Sequence, residues 1–158
     1  MKNKICLFLV MALTVMSLSA CGEDPELAQF RVDIENFCTR VSEIDTSINS
    51  IDPLSDSAVS ELLSDLDELD GVFKSFANLD FPEEYDYLED LAQESSAYMT
   101  EAVTSYHDAY SDNSYNEAMA DYAKENYSRA YKRIQIIITF LHGEEPDDSD
   151  LIIQYDEE

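Results

Sequence analysis

Basic residues are scarce in this sequence. Nine lysines and arginines stand against 35 aspartates and glutamates, for a formal net charge of −26 at pH 7. So acidic a surface repels phosphate backbones and anionic headgroups alike, which excludes nucleic acid as a partner. Histidine is scarcer still, with only His107 and His142. A di-iron bundle needs paired Glu-x-x-His units, and the residues three positions before the two histidines are Thr104 and Thr139. A His-Glu-x-x-His zinc motif and a Gly-x-Ser-x-Gly nucleophile turn are missing as well. Asp65, Asp67 and Asp70-Gly71 imitate a calcium loop, but the spacing puts Leu69 at an oxygen-ligand position and Phe76 where the bidentate glutamate belongs. These gaps lead to the expectation of no resident metal, no cofactor and no enzymatic activity.

The chain also lacks a long hydrophobic run. Its uncharged apolar stretch, Ile5 to Leu18, is 14 residues, short of the roughly 20 that a helix needs to cross a bilayer. Lys2 and Lys4 precede it, and Ser19-Ala20-Cys21 follow it. A basic start, a compact apolar core and small residues at the end mark a removable export signal over residues 1–20. The closing Leu18-Ser19-Ala20-Cys21 resembles the lipobox of bacterial lipoproteins, and the resemblance covers the first 22 or so residues. It implies that Cys21 becomes the mature N-terminus and carries a diacylglyceryl group, placing the protein at the extracytoplasmic face of the cell membrane. Two acyl chains hold a protein stably where one does not. Cys6 would then leave with the signal, and Cys38 would be the lone thiol, with no partner for an intramolecular disulfide. On a mixed Phe/Ile helix face, Cys38 is expected to be buried and inert.

What remains after residue 20 has seven basic and 35 acidic residues, a net charge of −28. Its apolar residues nevertheless recur too regularly for disorder. Leu27, Phe30, Ile34, Phe37, Val41, Ile44, Ile48 and Ile51 step by three and four, which predicts a long helix capped by Asp24-Pro25 and ending before Asp52-Pro53. Val59, Leu62, Leu66, Leu69, Phe73 and Phe76 predict a second helix, capped by Asp56 or Ser57 and running through Gly71. A third is predicted from Pro82 or Glu83, with the seam Leu88, Leu91, Ser95, Met99, Ala102, Tyr106 and Ala109; its small residues invite close approach of a neighbour. After a turn at Ser111 to Ser114, Met119, Ala123, Asn126, Ala130, Ile134, Ile137 and Leu141 predict a fourth, closed by Gly143. The β-branched run 134–141 could instead pair as a strand with 151–155; continuity of the seam favours helix. The expected fold is therefore all-α, an up-down-up-down four-helix bundle over residues 25–143. It would follow a tether at 21–24 and precede a loose acidic tail at 144–158.

Two features stand out from this bland acidic frame. Nine of the ten tyrosines fall between Tyr85 and Tyr131, in the third and fourth helical segments and their junction. Lys124, Arg129, Lys132 and Arg133 make up four of the seven mature basic residues. Tyr127 and Tyr131 lie one helical turn apart. They are expected to form a partly buried stripe rimmed by Arg129, Lys132 and Arg133, with Tyr106 in the core and Tyr110 near the open end. Such an aromatic patch suits recognition. The expected role is a tethered, non-enzymatic binding or accessory module for a protein, a peptide or an envelope glycan; the rival is a sensor of a small solute or cation. In type, though by no shared motif, the pattern resembles small helical lipoproteins of low-GC Gram-positive bacteria, and that likeness implies no activity.

Overall fold

Helix α1, Pro25–Ser50, begins where the sequence supplies its cap. The Asp24 side chain accepts the Glu26 backbone N–H at 3.0 Å, and Pro25 occupies the first turn, where its missing donor costs nothing. The helix stops before Asp52-Pro53, and Asp52 Oδ1 then accepts the Leu54 N–H to shape the turn. The computed structural model describes residues 24–111, 115–144 and 146. The expected signal (1–20), Cys21, the centre of the 111–114 turn, most of the acidic tail and the candidate strand 151–155 lie outside the described residues.

Helix α2 is Ala58–Ala77 and continues through Gly71. Ser57 precedes it, but its hydroxyl donates to the Glu61 carboxylate at 2.6 Å and makes no cap to the backbone. Helix α3, Glu89–Tyr110, starts later than Pro82 or Glu83. Between them lie a turn closed by Tyr85 N–H to Pro82 O at 2.7 Å and a single 3-10 turn, Asp86–Leu88. The reason for the delay is packing. Phe81 sits against Phe30 and Phe76 (ring centroids 4.8 and 5.8 Å), so the chain must first plug this end of the bundle before turning into a helix. Helix α4, Glu117–Leu141, is capped by the Asn116 side chain accepting from Met119 N–H. At its far end Gly143, with φ of 74°, adopts the left-handed conformation that glycine tolerates best. The Gly143 N–H then reaches Phe140 O and the Glu144 N–H reaches Thr139 O, a Schellman closure. Residues 134–141 are helical, and no strand occurs among the described residues.

The four helices are a bundle in which each packs on its sequence neighbour. The predicted seams face inward: Phe37, Val41, Leu69, Phe73, Leu88, Met99, Ala130 and Ile137 are all buried. Val59 is the exception at the start of α2, 42% exposed because it precedes the first turn that meets the core. Among neighbouring pairs, α3 and α4 share the most extensive contact, α2 and α3 less, α1 and α2 least. Side-chain size sets this order. Ala92, Ser95, Ala102 and Ala109 of α3 face Ala123 and Ala130 of α4, so the backbones come near enough for the Ser95 hydroxyl to donate directly to Ala130 O at 2.8 Å. Helix α1 meets α2 through phenylalanines, Phe37 stacking on Phe76 at 4.3 Å and edge-on to Phe73 at 5.4 Å. Among the described residues the buried core runs from Phe30 to Ile137, a stretch that lies within residues 22–158.

Candidate functional site

Tyr127 and Tyr131 are partly buried, as their place beside the α4 seam predicts, but their hydroxyls do not face a partner in solvent. Both reach across to Asp45 on α1. Tyr131 donates to Asp45 Oδ1 at 3.0 Å and Tyr127 at 3.2 Å, while the two hydroxyl oxygens are 3.1 Å apart. The rings stack at 4.7 Å, and Tyr131 also packs on Phe73 at 5.6 Å. Where α1 and α4 leave a gap that short side chains could not fill, two phenols and one carboxylate span it. Burial pushes the Asp45 carboxyl above its ordinary range, with the two tyrosine hydrogen bonds partly opposing the shift. Burial likewise raises both phenols, and the nearby Asp45 charge adds to it. They therefore stay protonated at neutral pH and serve as donors to a carboxylate rather than as bases or nucleophiles.

The expected basic rim is elsewhere. Arg129 and Arg133 lie two positions beyond Tyr127 and Tyr131, about 200° around the helix at 100° per residue. They face α3, stacked over the Tyr98 ring at 5.6 and 4.7 Å. Arg129 pairs with Glu125, and Arg133 Nε donates to Glu94 at 3.1 Å. Lys132 follows Tyr131 in the chain and is partly buried. Helix α4 thus carries two separate constellations, Tyr127–Tyr131–Asp45 toward α1 and Arg129–Arg133–Tyr98 toward α3. Both knit helices together.

The exposed aromatics are other tyrosines. Tyr115 (59% exposed), Tyr87 (55%) and Tyr122 (44%) show most surface. Tyr110 closes α3 with its ring 5.4 Å from that of Tyr115, and Tyr87 stands edge-on to Phe140 at 5.7 Å. Tyr106 is partly buried against the core and not wholly inside it.

A groove that periodicity did not reveal lies between α1 and α2, open to solvent, with a volume of about 550 Å³. Its floor is Phe37, Val72, Phe76 and Leu79, and Asp33 and Asn36 of α1 and Ser75 of α2 edge it. Arg40 ties α1 to α2 by pairing with Glu68, and its other nitrogen reaches Glu43 at 2.6 Å. Gly71 lies in the groove lining. The one sequence signal for it was that glycine, since mid-helix glycine costs about 1 kcal/mol relative to alanine.

Cys38 is partly buried beside the Phe37 cluster, and burial together with the Glu35 charge pushes its thiol up. In residues 22–158 it is the single cysteine, and its modification by a thiol-selective disulfide reagent at pH 7.5 should be at least about tenfold slower in the folded than in the urea-unfolded chain. Equal rates would place the thiol outside the core packing. Part of the acidic run of α2 is spent on α3, where Asp67 meets His107 Nε2 at 2.8 Å and Asp70 accepts from Thr100 at 2.6 Å; Asp70 also pairs with Lys74 of its own helix. Among the described residues no three His, Cys, Asp or Glu side chains converge as metal ligands, and no helix is long and apolar enough to cross a membrane. No family model, curated protein or solved structure matches this chain.

Proposed function

We propose that this chain is a lipoprotein held at the extracytoplasmic face of the cell membrane through lipid on Cys21, and that its helical bundle is a non-enzymatic binding module for a protein partner. The observation that carries the reading is Leu18-Ser19-Ala20-Cys21 at the end of the 14-residue uncharged run. It stands four residues before the first helical residue, Pro25. So short a tether keeps the start of α1 beside the membrane. With about 1.5 Å of rise per residue, the 26 residues of α1 project the α1–α2 and α3–α4 turns roughly 40 Å outward. The support for binding is the surface that the core does not consume: the exposed tyrosines and the α1–α2 groove. The net charge of −28 after residue 20 favours a partner with basic side chains and disfavours the membrane surface itself.

The test is Cys21→Ala. In a host that processes lipoproteins, the wild-type chain should incorporate radiolabelled palmitate and sediment with membranes, and the variant should do neither. Membrane retention of the variant equal to wild type would remove the tether.

A further inference from the structure

Gly71 has no reason to be glycine inside this molecule. It is in the interior of α2, in ordinary helical backbone, where alanine would be better by about 1 kcal/mol. Close packing does not demand it either, because a Cβ added there would meet no atom within 4 Å. What Gly71 does is keep the lining of the α1–α2 groove low, between the Arg40–Glu68 tie and Leu79. A missing side chain above an apolar floor is how helices make room for the backbone or the anchor residue of another helix. The rest of the groove agrees. Val72 and Leu79, both half-buried, offer apolar surface over the buried rings of Phe37 and Phe76, and Asp33 and Glu68 add carboxylates to the lining. Glu43 and Glu68 hold Arg40 between them, so these three side chains together leave one negative charge, and Asp33 adds another.

We infer that the α1–α2 groove is a docking site for an amphipathic helix of a partner protein, one whose apolar face carries flanking lysines or arginines, with an anchor side chain seated over Gly71. This deepens the binding-module reading and rests on it. Charge selects the occupant. A second copy of this chain would bring another −28 to the interface, and an acidic helix would meet Asp33 and Glu68. A basic helix with apolar residues at i, i+3, i+4 and i+7 matches both the floor and the rim.

The experiment uses residues 22–158 and a fluorescein-labelled peptide of about 14 leucines and lysines, arranged so that the leucines form one helical face. A second peptide has the same composition with the leucines dispersed. Fluorescence anisotropy should show the amphipathic peptide binding wild type at least tenfold more tightly than the dispersed one. Gly71→Trp and, separately, Gly71→Arg should weaken that binding at least tenfold, with circular-dichroism melts at or above the wild-type midpoint, because the new Cβ enters open space and the helix loses its interior glycine. Gly71→Ala should bind as wild type does. Equal binding of the two peptides, or unchanged affinity in both blocked variants, overturns the groove. So does concentration-dependent dimerisation of wild type that Gly71→Arg abolishes, which would make the occupant a second copy. Palmitate labelling at Cys21 is read separately, so loss of the groove leaves the tether standing, and loss of the tether leaves the groove standing.

Discussion

Replacing Tyr127 and Tyr131 together by alanine is expected to destabilise the bundle by about 5 kcal/mol, a large part of the roughly 5–15 kcal/mol that holds a domain of this size together. The expectation follows from what the pair joins. The stacked rings fill the space between α1 and α4, and Tyr131 packs on Phe73, itself buried. Their removal leaves a cavity beside the core and strips Asp45 of both its hydroxyl donors. Tyr131→Phe separates the two contributions. It keeps the ring and deletes one donor to a partly buried carboxylate, a change of about 1–3 kcal/mol. Urea unfolding followed by circular dichroism reads both. A double-alanine variant with a wild-type midpoint would mean that the two tyrosines are surface residues after all, and would return them to consideration as a recognition patch.

The second large effect is a change in how stability depends on pH. The carboxyl of Asp45 holds its proton more tightly in the folded chain than in the unfolded one, chiefly because burial disfavours the ion. Above the folded value the ion is present in both states, and the folded state alone bears the desolvation cost. As the pH falls through the folded value the folded chain takes up the proton first and the cost is relieved; below the unfolded value the two states are protonated alike. Wild type should therefore gain stability on mild acidification from pH 7. Asp45→Asn removes this titration. Its melting temperature should exceed that of wild type by several degrees at pH 7–8, and the advantage should shrink steadily as the pH approaches 4. The other 34 acidic residues are common to both proteins and largely cancel in the difference. A difference that is flat with pH would show that the two phenolic hydrogen bonds fully compensate the buried charge.

The helices were legible because their core faces repeat every three and four residues over five or six turns. Asp24-Pro25 and Gly143 also announce their caps in the sequence, whereas the Asn116 cap of α4 emerged only from the structure. The start of α3 was not legible. Pro82 and Glu83 look like a first turn in sequence, and only the burial of Phe81 against Phe30 and Phe76 explains why the helix waits until Glu89. The tyrosine stripe was half readable. Its partial burial follows from its place beside Asn126 and Ala130, but its partner Asp45 is more than 80 residues away, and no local rule connects them. The misplaced basic rim is different. Arg129 and Arg133 are across the helix from Tyr127 and Tyr131 by angle alone, so nearness in sequence misled where position round the helix would not have. The groove depends on how α1 and α2 pack across the Phe37–Phe76 stack, which periodicity does not encode.

The graded spacing of the helices has a mechanical consequence. Helix α1 has the least backbone contact with its neighbours and closes against α4 through side-chain tips, whereas α3 and α4 lie nearly backbone to backbone. Amide hydrogen exchange should accordingly be slowest in the α3–α4 hairpin and fastest in α1, which can open as a unit while the other three helices persist. If the chain is anchored through Cys21, any pull between the membrane and a captured partner enters the bundle at the start of this same helix. Load would then peel α1 first, parting the two walls of the groove, so that tension on the tether and grip on a partner in the groove oppose one another.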